Sequence, residues 1–120
     1  MRAFGWLHDP LFRAHDTGHS HVECAERLAV ILQELRRDEL FGRLQPLRFR
    51  PASWEQIALV HDPAYIDVVR MMCDEQFSYI GSEDTRICPF SADVAALAVG
   101  AVLRACDAVM NEEIERAFCA

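Results

Sequence analysis

The sequence contains no apolar run long enough to cross a membrane. The longest run, Val94 to Leu103, is about half of the roughly 20 residues that a membrane-spanning helix requires. No signal peptide is recognisable, because Arg2 is followed by an apolar stretch of only five residues. We therefore expect a soluble protein with no membrane partner.

A basic surface and a disulfide framework are also missing. The formal net charge is −7, whereas a protein that binds the nucleic-acid backbone needs a basic face. We therefore expect no nucleic-acid partner, and the charge weakly favours cationic partners such as lysine-rich peptides or polyamines. The five cysteines are odd in number, widely spaced and without a Cys-x-x-Cys pair, so we expect reduced thiols and a cytoplasmic location.

The most distinctive stretch is a polar loop over residues 15–23, which runs directly into an amphipathic helix. Three of the five histidines of the chain, His15, His19 and His21, lie in this loop. The helix is predicted over about 25–37, because leucine and isoleucine recur there at the spacing of one helical face. Such a loop, anchored by a packed helix, is a common place for function.

Two interpretations of this loop stay open. Its histidines and Glu23 offer imidazole and carboxylate donors that zinc accepts, so the loop could form a small metal site. A usable site needs three or four converging ligands and further groups that orient them, which the sequence does not guarantee. The alternative, which we favour, is a loop that is hydrogen-bonded to the rest of the fold.

Strands and helices alternate along the chain. The first half predicts an apolar strand over residues 3–7 and a second strand over 44–50. A capping-box pattern at Ser53 begins a short helix, and Asp62 followed by Pro63 begins a longer one.

The second half is dominated by one long helix. Residues 74–89 are predicted to be irregular, with a loop over 81–85. Ser91 is predicted to cap a helix over 92–110 that is apolar on most sides, and we expect it to be buried on most sides. A last apolar strand is predicted over 116–120.

This order is typical of an α/β fold with an open, mostly parallel sheet and helices on both faces, in three layers. Three short strands form a sheet that is too small to cover a helix as apolar as residues 92–110. We therefore expect the N-terminal part of such a fold, incomplete in this chain.

Several motifs resemble those of the histone deacetylase superfamily, in its class II, bacterial deacetylase-like and acetylpolyamine amidohydrolase branch. The opening pattern there is His-Asp-Thr-Gly-x-x-His-Pro-Glu-x-Pro-x-Arg-Leu. The matching residues are His15, Asp16, Thr17, Gly18, His21, Glu23, Glu26, Arg27 and Leu28. Further matches lie at Pro51-Ala52-Ser53, at Val60-His61 with Tyr65-Ile66, and at 83–89.

The resemblance implies an arginase/deacetylase-like fold and a zinc-dependent enzyme that hydrolyses N-acetyl amides on lysine or a polyamine. In the family, the His-His pair, the zinc ligands and the carbonyl-polarising Tyr or His come after the segment matched here. The Arg-Pro-Pro-Gly-His-His-Ala motif would begin just after Ala120. We therefore expect residues 1–120 to be the N-terminal fragment of one catalytic domain, inactive alone, with no catalytic residue, metal ligand or bound zinc of its own.

The resemblance also implies roles around the substrate. His19, His21 and Glu23 would lie on the rim of the substrate tunnel, as would Asp84 and Thr85, although residues like the last two more often simply form turns. Arg27 would line an internal channel behind the metal, or be a surface cation paired with a glutamate.

The partners implied are an acetylated lysine peptide or acetylpolyamine and the remainder of the domain. Val22 and Ala25 stand where the family has proline, which predicts a looser loop. Two other functions remain open: a truncated, non-catalytic α/β interaction module, and a small metal-binding protein that uses the His-rich loop.

Overall fold

The computed structural model describes residues 3–120, and within this range the chain forms an α/β fold built on a small parallel sheet. Two short 3-10 helices, Pro10–Ala14 and Leu40–Arg43, accompany the regular elements. In chain order the strands and α-helices are β1 (Phe4–Leu7), α1 (Glu26–Arg37), β2 (Leu44–Pro46), α2 (Trp54–Ile57), α3 (Pro63–Asp74), β3 (Tyr79–Ile80), β4 (Ser82–Arg86), α4 (Ser91–Met110) and β5 (Arg116–Cys119).

The main sheet has the strand order β2-β1-β5, and both pairings are parallel. β1 is therefore central, with Phe4 opposite Leu44 on one side and Arg116 on the other. Because β1 comes first in the chain, the later strands add to its two edges. The open parallel sheet that the sequence predicts is confirmed.

Helix α4 covers one face of this sheet. Leu7, Leu47 and Ile114 pack there with the small residues Ala101, Ala105 and Ala108 of the helix. Alanine lets a helix lie close to a sheet, because no long side chain separates the two backbones. The buried side of α4 is thus its alanine side.

The opposite face carries aromatic side chains. Trp6 is buried and packs against His8, Phe41 and Phe118, with ring centroids 5.4 to 6.0 Å apart. Phe41 lies in the Leu40–Arg43 3-10 helix that follows α1, so this 3-10 helix packs on the second face.

The sequence signals that predict α1, α2 and α3 are confirmed. Helix α1 occupies 26–37 and has no side-chain N-cap. Ser53 and Gln56 form the capping box of α2, and the Asp62 side chain accepts from the Ala64 amide at the start of α3.

Two local predictions about strands are wrong. Strand β2 ends at Pro46 rather than at residue 50, because the chain leaves the sheet after the Leu47 amide donates to the Trp6 carbonyl. Residues 82–86, expected to be part of a loop, form β4 and pair antiparallel with β3. This hairpin packs through Ile80 against a second core of Cys73, Ile87 and Ala92. The polar sequence of β4 gives no sign of this packing.

The start and the burial of α4 also differ from expectation. Ser91 is the first helical residue rather than the N-cap, which is Phe90. The helix is buried along one face only, and Val99, Val102, Leu103, Val109 and Met110 are exposed. Among the residues that the structure describes, no helix is long and apolar enough to cross a membrane.

Candidate functional site

The candidate site lies where β1 and β5 end. Parallel strands present their carboxyl ends at one edge of the sheet, the usual position of ligands in open α/β folds. At this edge the His8 ring nitrogen Nδ1 lies 2.6 Å from the carbonyl oxygen of Ala120. The His-rich loop leaves β1 through the Pro10–Ala14 3-10 helix and returns into α1, so it lies at this functional edge.

The loop is hydrogen-bonded to the start of α4 through Ser91 and Cys88, which the sequence does not mark as site residues. His15 Nδ1 lies 2.7 Å from the Ser91 hydroxyl oxygen, which also accepts a hydrogen bond from the Cys88 amide at 2.8 Å. The Cys88 thiol donates to the Ala14 carbonyl and accepts from the Asp16 amide. Ser91 and Cys88 are each more than 70 residues from their partners in the loop, so no local pattern predicts these contacts.

The loop itself is folded by its short polar side chains. An oxygen of the Asp16 carboxylate accepts a hydrogen bond from the Gly18 amide at 2.8 Å, and Gly18 has a φ of +81°. Thr17 is buried and its hydroxyl donates to the Glu23 carbonyl. This contact joins the two ends of the turn, and glycine adopts the left-handed backbone at residue 18 without the steric cost of a Cβ.

His21 connects this loop to β4. Its Nε2 atom lies 3.0 Å from the Asp84 main-chain carbonyl oxygen, and its Nδ1 atom accepts from the Glu23 amide at 3.0 Å. Two of the predicted rim segments, the loop and residues 84–85, are therefore brought together by one side chain.

Arg27 is paired with Glu23, as the surface-cation interpretation expected. Its guanidinium contacts the Glu23 carboxylate across one turn, with side-chain exposures of 57% and 53%. Both residues also line a cavity of about 340 Å³ together with His15, Cys24, Leu28, Val102 and Ala120. Arg27 is thus ion-paired at the surface and also lines this cavity, while its role as a channel residue stays a prediction.

The cavity is mostly apolar, and two thiols, those of Cys24 and Cys119, line it. Burial raises the pKa of the Cys119 thiol, with a smaller contribution from Cys106. The Cys119 thiol is therefore neutral at physiological pH, and the polar groups that line the space are His15, Glu23 and Arg27.

His19 and Thr85 are not drawn into these contacts. His19 lines a separate polar cavity of about 310 Å³ with Arg13 and Glu26, and Thr85 is exposed on β4. Within residues 3–120, neither side chain makes a hydrogen bond. Over the same part of the chain, no three His, Cys, Asp or Glu side chains come together in a group that could hold a metal ion.

The comparison with protein families identifies this arrangement. The model of the histone deacetylase domain matches residues 21–120. The chain belongs to the histone deacetylase family. Its relatives include a probable deacetylase of Archaeoglobus fulgidus, which is 34% identical over 106 residues, covering 87% of this chain and 29% of that protein. The polyamine deacetylase HDAC10 of Rattus norvegicus is 37% identical over 101 residues, covering 80% of this chain and 17% of that protein.

The fold of this deacetylase-family chain also matches a solved structure. The crystal structure of the HDA15 HD domain superposes with a TM-score of 0.88 at 22% identity, covering 98% of this chain and 34% of that one. At this identity the likeness shows the fold alone. The chain spans about a third or less of each of these three proteins.

Proposed function

We propose that this chain is the N-terminal segment of a deacetylase domain that hydrolyses N-acetyl amides and releases acetate. The substrates would be acetylated lysine in a peptide or an acetylated polyamine. In this proposal residues 1–120 supply scaffold and the wall of the substrate entrance, while the reacting groups come from the remainder of the domain. The cytoplasm is the proposed location, in keeping with the unpaired cysteines.

The observation that carries the proposal is the site at the carboxyl edge of the sheet. The His-rich loop, fixed by His21 to Asp84, borders a cavity of about 340 Å³ that reaches the end of β5. Membership of the histone deacetylase family and the names of the relatives support acetyl-amide hydrolysis as the chemistry.

Zinc is the cofactor that the family implies, and the residues described here do not fit it. A catalytic zinc needs three protein ligands and an open position. Within residues 3–120, no three suitable donor side chains lie together. The possible donors that line the cavity are His15, Glu23 and two cysteines, and Glu23 is ion-paired with Arg27. Zinc would supply a Lewis acid when bound elsewhere in the complete domain. What this chain contributes is the placement of the loop, of Asp84 and of the cavity wall.

Remaining surfaces support association with further polypeptide. The outer edges of β2 and β5 are unpaired within the described sheet, and α4 exposes Val102 and Met110. Unpaired strand edges and apolar helix faces are usually covered in stable proteins. The remainder of the deacetylase domain is the occupant that the proposal requires.

A chimera tests the proposal. The chain replaces the aligned segment of the Archaeoglobus fulgidus probable deacetylase, and acetate release is measured from an acetyl-lysine peptide and an acetylated polyamine with zinc present. We expect turnover by the chimera and none by the 120-residue chain alone. Circular dichroism melting of the chimera is the folding control.

The exposed face of α4 also supports the second candidate function, a non-catalytic interaction module. A chimera that melts cooperatively and binds zinc but releases no acetate would favour this module over the enzyme. Turnover by the 120-residue chain alone would contradict the proposal that the reacting groups come from the remainder of the domain.

A further inference from the structure

His21 joins two parts of the candidate rim that are distant in sequence. It is the residue of the loop that reaches β4, and the bond spans 63 positions of the chain. The bond ends on the carbonyl oxygen of Asp84, a residue whose own carboxylate makes no hydrogen bond within the described part of the protein. Asp84 is thus held by its main chain while its side chain stays available.

Of the two neutral tautomers of His21, the hydrogen-bond partners of the ring select one. A carbonyl oxygen only accepts, so Nε2 must carry the proton that is donated to Asp84. An amide only donates, so Nδ1 must be unprotonated to accept from Glu23. The Glu23 carbonyl, 3.2 Å from Nδ1, is then a neighbour without a hydrogen bond. The neutral Nε2–H form is the one that satisfies both bonds.

We propose that His21 is a positioning residue that fixes the Asp84 segment of β4 relative to the loop through its Nε2–H tautomer. The inference rests on the proposed function, since it assigns to the Asp84 side chain a hydrogen bond to the backbone of the acylated substrate. His21 does not touch the substrate. It positions Asp84, whose carboxylate contacts the substrate in this proposal, and the Glu23 amide orients the His21 ring.

Two substitutions separate the two bonds of the ring. Asparagine places its oxygen near the position of Nδ1, so His21→Asn retains an acceptor for the Glu23 amide but does not reach Asp84. Glutamine places its amide nitrogen near the position of Nε2, so His21→Gln retains the donor to Asp84. A purely structural loop role predicts the same behaviour for both variants, whereas the positioning role predicts a difference.

The first test uses the 120-residue chain and needs no activity. Long-range ¹H–¹⁵N spectra of the imidazole report the tautomer, and we expect the Nε2–H pattern for His21 at pH 8. The Asp84 carbonyl and Thr85 amide resonances should shift in His21→Asn and stay near their native values in His21→Gln. An Nδ1–H tautomer, or equal shifts in both variants, would overturn the proposal.

The second test uses the active chimera. Loss of one hydrogen bond of about 1 kcal/mol corresponds to roughly a fivefold change, so KM for the acetyl-lysine peptide should rise about fivefold in His21→Asn. The effect should fall on KM rather than kcat, and His21→Gln should recover most of it. An unchanged KM in His21→Asn would refute the positioning role. An inactive native chimera would refute the proposed function, and the spectra would still decide the tautomer and the bond.

Discussion

Helix α4 approaches the main chain of Arg50 so closely at Gly100 that a Cβ atom there would lie 1.8 Å from the Arg50 carbonyl oxygen. One turn earlier, the Ala96 carbonyl accepts from the Ala52 amide at 2.9 Å. The extended chain after β2 therefore lies directly on the helix backbone. This contact sets the position of α4, which carries Ser91 and one wall of the candidate cavity.

The substitution Gly100→Ala should destabilise the protein although alanine favours helix. The gain in helix propensity is about 1 kcal/mol, and the overlap with a backbone carbonyl costs about 1 to 3 kcal/mol or more. Because a 1.8 Å approach to a backbone atom puts the cost at the upper end, we expect a net loss of about 2 kcal/mol in the free energy of unfolding, measured with urea. Gly42→Ala is the matched control, since nothing lies within 4 Å of a Cβ at that position. Equal effects of the two substitutions would contradict the close contact.

The substitution Ala25→Pro should stabilise the start of α1. Ala25 has a φ of −63°, which suits proline, and its amide makes no hydrogen bond within residues 3–120. Restricting the unfolded chain is expected to add about 0.4 to 1 kcal/mol of stability. Hydrogen exchange over residues 22–25 should slow in the variant. Strong protection there in the native chain would contradict the looser loop expected from the missing prolines.

Glu113 should contribute to stability at neutral pH and not in acid. Hydrogen bonds from Arg104, at 2.7 and 2.8 Å, lower the pKa of Glu113 below its ordinary value of 4.5 in the folded state. A lowered folded-state pKa means that the stabilisation is complete above 4.5 and is lost as pH falls through the folded value. Glu113→Gln should thus be less stable than the native chain at pH 7, and the difference should disappear towards pH 3. A difference that stays constant from pH 7 to pH 3 would contradict this role of the Arg104–Glu113 pair.

Cys73 should be the least reactive thiol. Only 1% of the residue is exposed, and burial raises the pKa of its thiol, so the reactive thiolate is scarce. Alkylation at pH 7.5 followed by mass spectrometry should modify the exposed Cys106 first and Cys73 only as the protein unfolds. Modification of both at similar rates in the folded protein would show that the core of Cys73, Ile87 and Ala92 is not closed.

Local sequence signals, such as caps and apolar runs, are sufficient to predict most of the helices and strands. The capping box at Ser53 and the Asp62-Pro63 start of α3 act within a few residues, so the sequence alone contains all the interacting groups. The apolar strands β1 and β5 were recognisable for the same reason. The hairpin was missed because β4 is polar, and its strand conformation comes from pairing with Tyr79 and Ile80.

The sequence by itself determined the fold class, the positions of the helices and the family motifs, because these depend on periodicity, caps and residue identity at short range. Only the tertiary structure decided that His15 binds Ser91, that His21 reaches Asp84 and that Arg27 both pairs with Glu23 and borders a cavity. Two of these contacts join residues 76 and 63 positions apart. They form because tertiary packing places the start of α4 and the β3–β4 hairpin beside the loop that follows β1, and no pattern along the chain encodes which side chains meet there.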